Sequence, residues 1–575
     1  MTSRRSARNR LSLPTRLVLL CALLSGLPAF GADTATGSGL FSVRAFGATG
    51  DGHTLDTDAV NQAIIAAAEK GGTVEFPAGD YLCHSIRLRS HVTLRLGPGA
   101  TIIAADPPAT PGAPGYDFPE PNPAEHYQDF GHSHWHNSLI WGENLEYVSI
   151  VGPGRIYGRG LSRGNGRMSL PVGVTGPQDP NKLPSALMAD GPVVVEPRPD
   201  LVPGPFKYPN ARDTLPDGVG NKAIALKNCR NVTLSDFTIL HGGHFGILAT
   251  GVDNLVIDGL IIDTNRDGMD IDSCSNVRIT NCSVNSPWDD GICLKSSYAL
   301  GVGRITENVM IANCLVSGFD EGTLLDGTRR RELVRKAGPI GRIKLGTETG
   351  GGFRNIAIAN CTFEYCRGLA LEQVDGGVLE DVVVTNLVMR DIVNAPIFLR
   401  LGARLRAPGT PGPSQVRRVL ISNVIAYGIS SDYGILIAGL PGHPVEDVVV
   451  SNAKFYFRGG GTAAQAARIV PELPTEYPEP ELFGTLPAWG LFARHVTNLQ
   501  IRGVELHRLS DDLRPAVILD DVTGARFFDL QLPDARIQDR PLWSLAGVSR
   551  LHARDCTSLP DGEVPAAAAG TPTYY

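Results

Sequence analysis

The chain has 575 residues, of which 66 are glycine and 42 proline, with 7% aromatic residues and a formal charge of −7. Residues 1–32 read as a secretory signal: five arginines up to Arg16, the apolar run Leu17–Leu27, then small residues near Ala29–Ala32. Its removal takes away those five positive charges and no negative one, so the mature charge becomes −12, which argues against nucleic acid or an acidic membrane as partner.

No other segment is apolar enough to span a bilayer. A secreted or periplasmic monomer is expected, with no membrane attachment after signal cleavage. Ten cysteines leave nine after the signal, an odd and scattered set. They read as small apolar residues stacked inside the fold, with one surface bridge, Cys361–Cys366, left open. No Cys/His spacing suggests structural zinc, and neither a metal nor a cofactor is expected.

Asp56 or Thr57 can cap a helix near 58–69, with Val60, Ala63, Ile64 and Ala67 on one face and a stop at Gly71-Gly72. Such a helix ahead of the first strands would cover the open end of a solenoid. Thr73–Phe76, Ser85–Leu88 and Val92–Leu96 read as short strands. Two segments rich in Pro, Gly and Asp follow, near 105–137 and 160–220. Irregular stretches of that length are walls of a functional site or lack order. They could close one end of a cleft, favouring attack at chain ends. In the first, His132, His134 and His136 alternate, which on a strand puts them on one face. They could ligate a metal or, beside Trp135, hydrogen-bond a sugar; His134 and Trp135 are carried as substrate-binding candidates.

A repeat then emerges. Asn or Asp, three alternating positions rich in Val, Ile and Leu, and a second Asn, Asp or Gly recur from Asn231, Asn254, Asn276, Asn308, Asn355, Asp381, Arg418, Asp447 and Asn498. The shortest steps, 23 and 22 residues, suit one coil of a parallel β-solenoid. Asn281, Asn313, Asn360, Asn386, Asn423 and Asn452 close the pattern and would stack as an amide ladder at a bend.

Within the repeat lies Asn265–Ser296, which holds Asp267 and the pair Asp289–Asp290. Asp290 follows Asp267 by 23 residues, and each precedes a glycine and a short apolar run. One coil of that length places Asp267 and Asp290 on adjacent strands, roughly 5 Å apart, with Asp289 beside them. Carboxylates so crowded repel, which raises some pKa values and suits acid and base duty. A third insertion near 458–490 is Pro-rich and reads as surface. The β-helix domain is expected over 33–560, with 561–575 a disordered tail.

At these residues the chain resembles glycoside hydrolase family 28, the polygalacturonase and rhamnogalacturonase group, from Phe46-Gly-Ala-Thr-Gly-Asp-Gly52 to about residue 455. The resemblance implies an all-β fold, a right-handed parallel β-helix with an N-terminal capping helix. Asn265-Arg266-Asp267 matches the family's Asn-Thr-Asp with Arg in place of Thr, and Asp289-Asp290 through Lys295-Ser296 matches its Asp-Asp motif. The resemblance implies Asp289 as general acid, and Asp267 and Asp290 as the groups that position and deprotonate water, with inversion. That course requires carboxyl groups roughly 6.5–9.5 Å apart. Asn265, Lys295 and His244 are carried as substrate-binding candidates.

The family's next motif, Gly-His-Gly, is absent. Counted from the repeat starts, His244, Asp267, Asp290 and Glu321 fall at nearly equal offsets and should form one column, which puts Glu321 in the His position. Local similarity of Ile343–Asn355 puts Gly341 there instead. Arg342-Ile343-Lys344 spells the family's Arg-Ile-Lys, although in the second register that motif falls at Ala370-Leu371-Glu372. Arg342 and Lys344 could hold a carboxylate or hydroxyls. The reading is a hydrolase acting on a pectin-type polysaccharide or oligosaccharide. The alternatives are a lyase or epimerase with Lys344 as base and calcium at the aspartates, and a β-helix that binds carbohydrate without turnover.

Overall fold

Short strands that alternate inward apolar and outward polar side chains cannot bury their apolar face alone, and here each finds its partner one coil further on. The computed structural model describes residues 39–108, 113–129, 131–162, 218–332, 338–534 and 540–575. The expected signal, and most of the loop expected at 160–220, lie outside the described residues.

The strands form three parallel columns. The column that carries the site stacks Lys222–Lys227, Phe245–Thr250, Asp267–Asp272, Ile292–Lys295, Ile343–Leu345, Leu369–Gln373 and Ile397–Leu401. A second stacks Arg230–Ser235, Asp253–Asp258, Ser275–Thr280, Thr306–Ala312 and Phe353–Ala359. The third holds shorter strands such as Ile261–Asp263 and Ser283–Asn285. From Val378 the second and third run together as Val378–Arg390, Gln415–Ile429 and Val445–Phe457. The all-β parallel β-helix stands as expected. In the second column Val277 and Ile279 point inward and Arg278 outward. The inward positions join one core that runs from Val43 to Ala567. In the site column both faces are covered, so all six residues of Asp267–Asp272 are buried.

The recurrent asparagines turn the corners. Asn276 and Asn281 have φ of 58° and 57°, and their equivalents repeat that value. A left-handed backbone costs most residues about 1–2 kcal/mol, and asparagine tolerates it by local hydrogen bonding. The amides stack as expected: Asn313 donates to Asn281 at 3.2 Å, Asn360 to Asn313 at 3.1 Å and Asn386 to Asn360 at 2.9 Å. At the other corner Arg418 replaces asparagine and pairs with Asp381 instead.

The N-terminal helix spans Thr57–Ala68 and buries Val60, Asn61, Ala63, Ile64 and Ala67. Asp56 precedes it without capping it; its carboxylate accepts the Thr49 and Gly50 N–H groups at 2.7 and 2.9 Å. Among the described residues no helix is long and apolar enough to cross a membrane. The nine cysteines are free and buried, so Cys361 and Cys366 form no bridge. Residues 561–575 are not a disordered tail. Gly562–Val564 and Thr573–Tyr574 pair antiparallel with Leu551–Arg554 and Trp543–Ala546. Strand edges left open by the last coils invite such pairing.

Asn313→Ala removes two ladder hydrogen bonds and leaves alanine at φ 57°. A loss of about 1–2 kcal/mol is expected in urea unfolding, and a smaller one for Asn313→Gly, which tolerates that φ.

Candidate active site

The backbone ladder settles which side chains meet. Met269 pairs with Ile292, which sets Asp267 opposite Asp290, and Ile292 pairs with Ile343, which sets Asp290 opposite Gly341. The Gly268 N–H donates to the Asp290 carbonyl at 3.0 Å, and the Gly341 N–H to the Asp289 carbonyl at 2.9 Å. Only glycine fits at 268: a Cβ would lie 2.4 Å from the Gly291 carbonyl oxygen and 2.3 Å from Val284 Cγ1. One oxygen from each of Asp267, Asp289 and Asp290 lies within 4.8 Å of the others.

The column expected from residue counting is corrected by this register. Phe245, not His244, pairs with Asp267. Glu321 lies in the insertion between Leu315–Ser317 and Ile343–Leu345, with its carboxylate 2.8 Å from His241 Nδ1. Gly341 holds the position after Asp290. That insertion lengthens the coil without adding a strand, so sequence distance no longer counts coils.

The three aspartates differ in surroundings. Asp289 is the most open, its side chain 24% exposed, and Arg266 Nη2 donates to its Oδ2 at 2.6 Å. Arg266, which stands where the family has Thr, therefore lies within the site. Asp267 is buried, and burial together with Asp270 and Asp289 pushes its carboxyl well above the ordinary range. Burial alone would also raise Asp290, but Lys344 and Arg342 outweigh it and hold that carboxyl below its usual value. Arg342 Nε donates to Asp290 Oδ1 at 2.8 Å, and Lys344 Nζ lies 3.3 Å from Oδ2. Two carboxyls on adjacent coils thus have opposed protonation tendencies, the usual mark of an acid/base site.

Lys295 donates to Glu348 at 3.0 Å and lies 3.7 Å from Asp270. Asn265 is buried at the turn into Asp267, and its side-chain amide has no hydrogen-bond partner among the described residues. His244 is buried against the ring of Phe245. Trp135 is fully buried, its indole N–H donating to Thr250 Oγ1 at 3.0 Å, which leaves no ring face for a sugar. His134 turns to the Glu120 carbonyl at 2.7 Å and to Glu125 at 3.3 Å. The segment is not a strand, so the histidines do not share a face: His132 meets Asp270 and His136 meets Glu143, each at 2.8 Å.

The insertion at 458–490 is more than surface. Glu479 accepts from Arg342 at 2.5 Å and from Arg367 at 2.6 Å, and the Tyr477 hydroxyl accepts from Thr347 at 2.7 Å. The exposed Tyr477 ring lies 5.4 Å from Lys344 Nζ. Pro-rich sequence carried no signal for these contacts, which join residues 112 to 137 positions apart where the insertion folds back. Asp270 and Glu348 carried no signal in the sequence either, and Glu372 entered only through the second register of the Arg-Ile-Lys motif. Oxygens of Asp267, Asp289 and Asp290 are near enough to share a metal ion. Arg266, Arg342 and Lys344 already engage two of these carboxylates, so an added cation would compete with three resident ones. Burial would lower Lys344, but its neighbours, Asp290 first, outweigh it and hold the ammonium well above its ordinary pKa, which disfavours the neutral amine that proton abstraction needs.

Burial pushes Glu372 up to about 8, against Lys344 and Arg342. The folded protein then holds a proton that the unfolded chain releases near pH 4.5, so this contribution to stability is present below about 4.5 and is lost as pH rises to about 8. Glu372→Gln is expected to flatten the fall in urea midpoint between pH 5 and pH 8. An unchanged slope would contradict the assignment.

Residues 222–404 match the family model described as the right handed beta helix region, and residues 40–106 the one described as rhamnogalacturonase A/epimerase, pectate lyase-like. A probable polygalacturonase of Vitis vinifera is 26% identical over 349 residues, covering 56% of this chain and 60% of the relative. An exo-poly-alpha-D-galacturonosidase of Dickeya chrysanthemi is 27% identical over 279 residues, covering 46% and 42%. The match thus spans less than two thirds of either curated relative. Among solved structures, a family 28 exopolygalacturonase of Yersinia enterocolitica aligns with a TM-score of 0.55 at 19% identity, over 92% of this chain and 79% of that one, a likeness of fold.

Proposed function

From the premise that this chain is a divergent relative of glycoside hydrolase family 28, we propose that it hydrolyses glycosidic bonds in a pectin-type polysaccharide or oligosaccharide. The observation that carries the reading is the cluster of Asp267, Asp289 and Asp290 on adjacent coils, with Asp267 pushed toward its protonated form and Asp290 held ionised. The relatives named polygalacturonase and galacturonosidase support the substrate class.

Asp289 is the acid, because its carboxyl is the most open of the three and can reach a glycosidic oxygen. Asp290, ionised, takes a proton from the attacking water, and Asp267, protonated, donates a hydrogen bond that orients it. The nearest oxygens, within 4.8 Å, are closer than the roughly 6.5–9.5 Å of inverting carboxyl pairs and resemble the roughly 5–5.5 Å of retaining ones. Asp290 is nevertheless a poor nucleophile, since Arg342 and Lys344 hold both of its oxygens. A single displacement by water, with inversion, follows.

Two measurements test this. Proton NMR of the first-formed product should show the anomer opposite to the substrate; retention would sink the single displacement. Asp289→Asn should lose about 10²–10⁴-fold on a natural glycoside and far less on one with an activated aryl leaving group, which needs little proton assistance. Asp290→Asn should lose on both. A sparing of Asp267→Asn instead would move the acid to Asp267, and oligosaccharide binding without turnover would leave a binding protein.

A further inference from the structure

Arg342, Lys344 and Arg367 are buried side by side on the coils that follow Asp290, each 1% exposed. Cations beside catalytic carboxylates would ordinarily serve an anionic substrate. Here the protein itself supplies the anions. Glu479 lies 2.5 Å from Arg342, 2.6 Å from Arg367 and 3.7 Å from Lys344. Glu481 accepts from Arg367 at 2.5 Å and from Asn394 at 3.0 Å. Asp290 takes Arg342 and Lys344 from the other side, and Glu372 lies 3.9 and 3.6 Å from the same two.

Three cations therefore face four carboxylates of the same chain. Glu372, pushed up to about 8, is largely protonated at neutral pH, which leaves three charges of each sign. Exposure shows which charge a ligand would meet. Glu479 is 12% exposed and the cations behind it are 1% exposed, so the surface offered at this end of the site is a carboxylate, and the guanidiniums are screened by it. Glu479 comes from the insertion, with Tyr477 two residues earlier presenting an exposed ring beside Lys344. An aromatic face beside a neutralised charge cluster suits the apolar face of an uncharged sugar.

We propose that Glu479 sets the charge of the substrate: the sugar unit seated against Arg342, Arg367 and Tyr477 is neutral, because Glu479 occupies the place that a uronate carboxylate would take. The proposal rests on the reading of the aspartate cluster as a polysaccharide site. It makes Glu479 a specificity determinant outside the acid/base step.

The test uses the full chain carrying Asp289→Asn to prevent turnover. Calorimetry compares oligogalacturonides with the same oligosaccharides after reduction of their carboxyl groups, a pair that differs only in charge. The reduced form is expected to bind about tenfold tighter or more, and Glu479→Gln, which keeps the size but removes the charge and one of the two acceptor oxygens, should erase or reverse that preference. The first comparison needs no change at 479, so a folding defect in that variant, monitored by thermal unfolding, does not shield the proposal. Tighter binding of the uronate form by the parent overturns it, as does a preference unaltered in a folded Glu479→Gln or binding of neither form at millimolar concentration. A preference for the reduced form without hydrolysis by the unsubstituted chain would retain this proposal and reject the hydrolase reading; hydrolysis with a uronate preference would do the reverse.

Discussion

Parallel strands that pair coil on coil impose one rule on this chain: a side chain finds its neighbours directly above and below, at the same register position. Every residue in the ladder is bound to that rule by backbone hydrogen bonds that cannot be traded for water inside the stack. The rule places Asp290 between Asp267 on one coil and Gly341 on the next. It also fixes the corners, since a chain that turns at the same position on each coil needs the same unusual backbone each time. The asparagines at φ near +57° meet that need and bond to one another along the stack.

Charge burial follows from the same geometry. The site column is covered on its outer face, so Asp267, Asp270, Asp290, Lys295, Arg342, Lys344, Glu348 and Glu372 are all buried. Isolated charges would not persist there, and none of the cations is isolated: Lys295 meets Glu348, Arg342 meets Asp290, and Lys344 lies between Asp290 and Glu372. Uneven supply of cations then separates the aspartates. Asp290 has two at its oxygens and stays ionised, while Asp267 has burial and like charge around it and favours its proton.

The cover is made of insertions, and they carry what distinguishes this chain from a bare coil. His132 from the first insertion bonds Asp270, and Arg406 joins Asp129 of that insertion to Glu348 of the column. Tyr477 and Glu479 from the last insertion reach Thr347, Arg342 and Arg367. A coil scaffold of repeated geometry thus supplies position, and irregular segments supply the surroundings that set protonation and access.

Much of this was legible in the residues. The step of 22 or 23, the recurring asparagines, the helix at the start and the spacing of the aspartates each follow from local rules, because one coil interacts mainly with the next. Register across the 47-residue step was not legible, since an insertion of any length returns the chain to the same ladder, and only the pairing of Ile292 with Ile343 chooses Gly341 over Glu321. Nor was the fate of Trp135, whose indole is sealed against Thr250 by a loop of no regular structure. The sequence by itself determined the coil, its corners and the acids it stacks, because those depend on neighbours one repeat away. The tertiary structure alone decided which cations those acids meet and which carboxylate guards them, because Arg342 and Glu479 are 137 residues apart and touch only where the insertion folds back.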